Sequence, residues 1–115
     1  MLIEARVIDH LKTKFGTQDV YAEAPEVAPA SFVLVLVTDR RQNNLIDSAT
    51  IEIHSFAPTK AEASALDKSV RQALESLPEH NDVSSCRIGG GDDEPSEWLK
   101  KYRYRSFFNV VFYDE

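Results

Sequence analysis

Apolar residues recur at every fourth position from Ile3 through Val7 to Leu11, with Ile8 and Phe15 widening the stripe. This spacing predicts an amphipathic helix over Leu2 to Phe15. Arg6, Lys12 and Lys14 fall mainly on its polar side, and the two lysines lie near its C-terminus, where cations complement the helix dipole. Gly16 supplies the left-handed stop. From Thr17 to Ser31 the periodicity is lost, and Pro25 and Pro29 among small and acidic residues predict an extended loop. Phe32 to Val37 (FVLVLV) is the most apolar run, and its β-branched content predicts a strand covered on both faces. Asp39 to Ser48 is polar and reads as a loop, with Asn43 and Asn44 suited to positive-φ turn positions. Thr50 to Phe56 (TIEIHSF) alternates, placing Ile51 and Ile53 on one face and Glu52 and His54 on the other. Together these runs predict a long antiparallel hairpin.

Thr59 and Glu62 have capping-box spacing at the start of a second helix. Ala63, Leu66, Val70, Ala73, Leu74 and Leu77 form its apolar stripe, and Pro78 ends it. A loop through Glu79, His80 and Asn81 leads to a short strand around Cys86. Gly89 to Glu97 (GGGDDEPSE) reads as a flexible acidic stretch, followed by the basic residues Lys100, Lys101, Arg103 and Arg105. Tyr104 to Tyr113, aromatic and β-branched, predicts a further strand, with most of its aromatics in the core. The order helix, strand, strand, helix, strand, strand predicts an α+β fold. It is an antiparallel sheet of about four strands with both helices on one face. Neither an internal repeat nor a linker divides residues 1–115, so a single domain is expected.

Composition narrows the function classes. Thirteen Lys and Arg against nineteen Asp and Glu leave a net charge of −6, which argues against an autonomous nucleic-acid binder. No apolar run approaches the roughly 20 residues of a membrane span, and the first residues lack the features of a signal peptide. The lone cysteine, Cys86, excludes an intrachain disulfide and reads as a structural thiol.

The local motifs give no chemistry. Gly89 to Gly91 run into Asp92, Asp93 and Glu94, which would repel a phosphate. These acids lack the alternating spacing of a calcium loop. His10, His54 and His80 show no helical metal spacing, and only Glu52 with His54 shares a strand face as a conceivable acid–base dyad. No catalytic residue, cofactor or metal ligand is expected.

The leading helix, the segment with Val20, Tyr21 and Pro25, the apolar strand Phe32 to Val37 and the alternating strand TIEIHSF form a recognisable series. TIEIHSF passes directly into APTKAEASALDKSVRQALESL, and a closing strand contains Arg103-Tyr104-Arg105. Over nearly its whole length this series resembles the tail terminator and tail completion (tail-to-head joining) proteins of long-tailed bacteriophages. The resemblance implies a non-enzymatic structural protein of the virion neck or tail, made in the host cytoplasm. It would assemble with its own copies into a ring, hexameric when complete, at the head-proximal end of the tail tube. There it would end tube growth and join tail to head, contacting the tail tube protein and the head connector or head-closure protein. DNA would pass through without specific binding, and neither membrane nor cofactor is involved. No individual residue role is carried over by the resemblance.

A ring needs heterologous contacts that close by rotation, and mixed-charge polar loops are the natural sites. The candidates are Arg40, Arg41, Asn43 and Asn44 in the first loop, with Asp92, Asp93, Glu94, Lys100, Lys101 and Arg103 around the second. Three other readings stay open: another neck component, a small enzyme using Glu52 and His54 or the acidic loop, and a regulatory module binding through a sheet edge.

Overall fold

The computed structural model describes residues 3–16, 19–23, 26, 29–43, 46–93 and 102–113. The elements are α1 (Ile3–Phe15), β1 (Val20–Tyr21), β2 (Phe32–Asn43), β3 (Ile46–Ala57), α2 (Lys60–Leu74), a 3-10 turn (Leu77–Glu79), β4 (Val83–Asp93) and β5 (Tyr102–Tyr113). The strands form one sheet in the order β1-β2-β3-β5-β4. β1 runs parallel to β2, and every other neighbouring pair is antiparallel. Because β5 lies between β3 and β4, the connection through α2 joins two parallel strands with a third between them, a split β-α-β unit.

Both helices pack on one face. The period-2 alternation of β2, β3 and β5 delivers Val33, Val35, Ile51, Ile53, Phe108, Val110 and Phe112 to that side. The stripe of α1 (Ile3, Val7, Leu11) and that of α2 (Val70, Ala73, Leu74) close over them, with Leu77 of the 3-10 turn. The α+β class and the two helices on one face are therefore as expected. The four-stranded antiparallel description is corrected to a five-stranded mixed sheet.

A backbone ladder is indifferent to side-chain polarity, and it can depend on a partner distant in sequence. Val20 and Tyr21 fall in the expected loop, yet they pair with Val33 and Leu34. Asp39 to Ser48 is not a polar loop but the continuation of both hairpin strands, paired from Asp39↔Thr50 to Asn43↔Ile46. The register shifts once, at Thr38. Their side chains are polar because most stand in solvent beyond the helices, while the backbone groups stay paired.

Gly89 to Asp93, expected as a flexible loop, belong to β4. The glycines meet two local requirements there. Gly90 adopts φ 151° where the β4–β5 register shifts, a conformation that L side chains rarely take. A Cβ on Gly91 would lie 2.7 Å from the Arg105 carbonyl and 2.6 Å from an Arg71 guanidinium nitrogen, so only glycine fits without displacement.

Helix α2 begins as expected: the Thr59 hydroxyl accepts from the Glu62 backbone N–H at 3.2 Å. It ends at Leu74, three residues before the stripe predicted, and Leu77 completes the core from the 3-10 turn. Leu66, at the edge of the stripe, is only partly buried. Thr59→Ala is expected to cost about 1 kcal/mol through the lost cap. The shift of the urea midpoint checks this, and an unchanged midpoint would reject the cap as a stabilising contact.

Candidate functional site

The strand registers place the two expected interface regions at opposite ends of the sheet. At one end Asn43 faces Ile46, and Ile46 faces Tyr113. At the other, Asp92 and Asp93 face Arg105 and Tyr104, beside the end of β3 where Ala57 faces Tyr102. The molecule is elongated, 43 Å by 25 Å by 25 Å. Asn44, Glu94, Lys100 and Lys101 lie outside the described residues, as do the side chains of Asn43, Asp92 and Asp93.

At the first end, Arg40 donates to Asp47 at 2.8 Å, and its guanidinium lies 5.4 Å from the centroid of the Phe112 ring. Asp47 is buried, so this pair caps the end of the core and gives Arg40 a structural task. Arg41 is exposed and pairs loosely with Asp39 at 3.4 Å. These two border a shallow polar hollow of about 290 Å³ with Ser48, Thr50 and Asn109.

The sheet face away from the helices carries a second cluster. Phe32 stacks on Phe56 with ring centroids 4.6 Å apart, Tyr21 meets Phe32 edge-on, and Leu34 packs beside them. Arg103 reaches over Phe56 from β5. Next to it, His54 Nε2 donates to Glu52 at 2.7 Å, and Arg103 lies 3.4 Å from His54 Nδ1. Arg105 approaches the same carboxylate at 3.8 Å. His54 is only 8% exposed, so this part of the face is not the wet surface that simple alternation implies. Burial lowers the His54 pKa, and Glu52 opposes that shift. The imidazole is therefore a neutral spacer between the Glu52 carboxylate and Arg103, with both ring nitrogens engaged. The hollow at Arg41, the clefts beside Phe15 and beside Cys86, and the groove along α1 are lined by neither Glu52 nor His54. The dyad is real as a contact, but these cavities do not offer it a substrate.

A third constellation joins residues far apart in sequence. His10, buried on α1, has its Nδ1 3.0 Å from His80 Nε2 and 4.0 Å from a Glu79 carboxylate oxygen. Sequence spacing gave no histidine pair because these two are 70 residues apart. One signal was present: His10 follows Val7 by three and Ile3 by seven residues, so it sits on the apolar stripe. Asp67 of α2, also buried, sits on its stripe in the same way, four residues after Ala63 and three before Val70. Cys86 is half-buried, and burial pushes its thiol up to about 12, the state of an inert structural cysteine.

These features define a small α+β domain built on one elongated sheet. The same fold occurs in a chain from a solved structure described as the virion of a native gene transfer agent particle. That chain matches with a TM-score of 0.66 and 18% sequence identity, over 97% of this chain and 95% of the other. Neither a protein-family model nor a curated protein sequence matches. Among the described residues no helix is long and apolar enough to cross a membrane.

Proposed function

We propose that this chain is a non-enzymatic structural subunit of a phage-like virion. Its role is that of a tail terminator or tail completion protein, forming a ring at the head-proximal end of the tail tube. The observation that carries this reading is the full-length fold match with a chain of a gene transfer agent virion. A match that spans 97% of this chain and 95% of the other favours a shared architectural role over a borrowed module. The placement of the two candidate interface regions adds support. A head-to-tail ring needs two different surfaces on each subunit, and opposite ends of one sheet provide them. Arg41 at one end and the Asp92-Asp93 segment at the other have complementary charge. Contacts to the tail tube protein and to the head connector would then use the two rims of the ring. The acidic balance of the chain keeps the lumen from holding DNA, since few cations are available to replace its counterions.

The test is electron microscopy of particles made when this reading frame is interrupted in its own phage or prophage. Filled heads beside unattached, overlong tails are expected. Tails of normal length that fail to join would move the role to another neck component. Intact infectious particles would reject a structural role.

A further inference from the structure

We propose that His10, His80 and Glu79 form a binding site for one late first-row divalent transition metal, zinc above all. The three ligand atoms lie within 4.8 Å of one another. In a tetrahedral zinc site, ligand atoms about 2.0–2.1 Å from the metal stand roughly 3.3 Å apart. The separations of 3.0 Å and 4.0 Å from His10 Nδ1 bracket that value. Small rotations of the half-buried His80 and the exposed Glu79 would bring the set into range.

The surroundings of His10 are those of a prepared ligand. Its Nε2 donates to the Ala73 carbonyl at 2.8 Å, with the Ser76 hydroxyl at 3.1 Å. Ser76 itself donates to the same carbonyl, which fixes that oxygen from a second side. The proton is therefore on Nε2, and the Nδ1 lone pair faces His80. A metal-bound imidazole characteristically has this outer-shell contact to a backbone carbonyl.

An entry path exists. The three residues line a groove of about 250 Å³ shared with Arg6, Asp9, Thr13 and Lys14, open to solvent on the Glu79 side. Without metal, Lys14 occupies the carboxylate at 3.3 Å and His80 donates to His10, so the cluster is held together by contacts that a cation would replace. Two imidazoles and one carboxylate select zinc, nickel or copper over magnesium or calcium, which prefer all-oxygen sites. A water would complete the coordination. Bound metal would tie α1 to the segment after α2, and so fasten the helical layer independently of any role in a virion.

The test uses the full chain without an affinity tag, stripped with a chelator and titrated with zinc chloride by calorimetry, with thermal unfolding measured alongside. One zinc per chain is expected. At a hundredfold excess over Kd the midpoint should rise by about 10 °C, and magnesium should leave it unmoved. His80→Ala should abolish the shift and weaken zinc binding about a hundredfold or more, while the metal-free protein still unfolds cooperatively. Should that variant fail to fold, Glu79→Gln provides the same comparison, with a smaller zinc shift expected. A cobalt(II) derivative should show the visible absorption of a tetrahedral site in the parent and lose it in His80→Ala. No binding, a stoichiometry other than one, or a zinc shift that survives His80→Ala would overturn the site. The virion role would stand untouched by any of these outcomes.

Discussion

Phe112→Ala is expected to lower the unfolding free energy by about 3–5 kcal/mol, the range for truncating a fully buried aromatic. The Phe112 ring is wholly shielded from solvent. It stands on the inner strand β5, facing Asp47 of β3 on one side and Val83 of β4 on the other. Removing it opens a space that three strands line and that none of them can fill alone. It also removes the ring beneath the Arg40 guanidinium, so the Arg40–Asp47 pair loses its support on the side facing the core. The comparison variant is Phe107→Ala on the opposite face of the same strand. Phe107 is only half-buried, with Arg105 5.7 Å from its ring centroid, and its truncation should cost well under half as much. Urea unfolding of the two variants checks the face assignment. Equal losses would mean that β5 does not distinguish its faces as described.

The relation between these phenylalanines shows what the sequence reveals and where it stops. Alternation along the last aromatic run separates two faces, and the more apolar face is the buried one. The start and buried face of helix α2 are equally legible, because a cap at Thr59 and a stripe through Val70 and Leu74 are local signals, whereas its end at Leu74 precedes Pro78. Features that depend on a distant partner are not. Two residues of β1 become a strand only because Val33 and Leu34 lie beside them. The polar half of the first hairpin pairs through its backbone while its side chains read as loop. Glycines carry no periodicity, so the sequence pattern marks β4 only around Cys86, short of its end at Asp93. The candidate interface residues read as polar loops, whereas Arg40, Arg41, Asn43, Asp92 and Asp93 belong to strands whose order and register put them at opposite ends of the sheet. His10 and Asp67 were visible only as polar intruders on apolar stripes. Their partners, His80 and Ser106, come from other elements.

Asp67→Ala is expected to cost about 2–4 kcal/mol, a large effect for a helix position where alanine is intrinsically preferred. Its carboxylate accepts from the Ser106 hydroxyl of β5 and forms an ion pair with Arg71, one turn along the helix, at 2.8 Å. Ser106 is fully buried, so truncation leaves its hydroxyl without an acceptor, a loss of roughly 1–3 kcal/mol in itself. The Arg71 pair contributes less directly, because that side chain is 41% exposed and can rehydrate. Its position matters more than its Coulomb energy. Asp67 holds the guanidinium over Gly91, where no Cβ intervenes, and so connects α2 to the edge strand β4. Asp67→Asn keeps an oxygen for Ser106 and should lose less than half as much as alanine. Replacing Asp67 and Ser106 together with alanine should recover about 1–2 kcal/mol relative to the sum of the single changes, since no buried hydroxyl is then left unpaired. Denaturant midpoints for the four proteins of this cycle decide the matter. Additive losses would show that the Asp67–Ser106 bond contributes nothing of its own, and that Asp67 acts through packing alone.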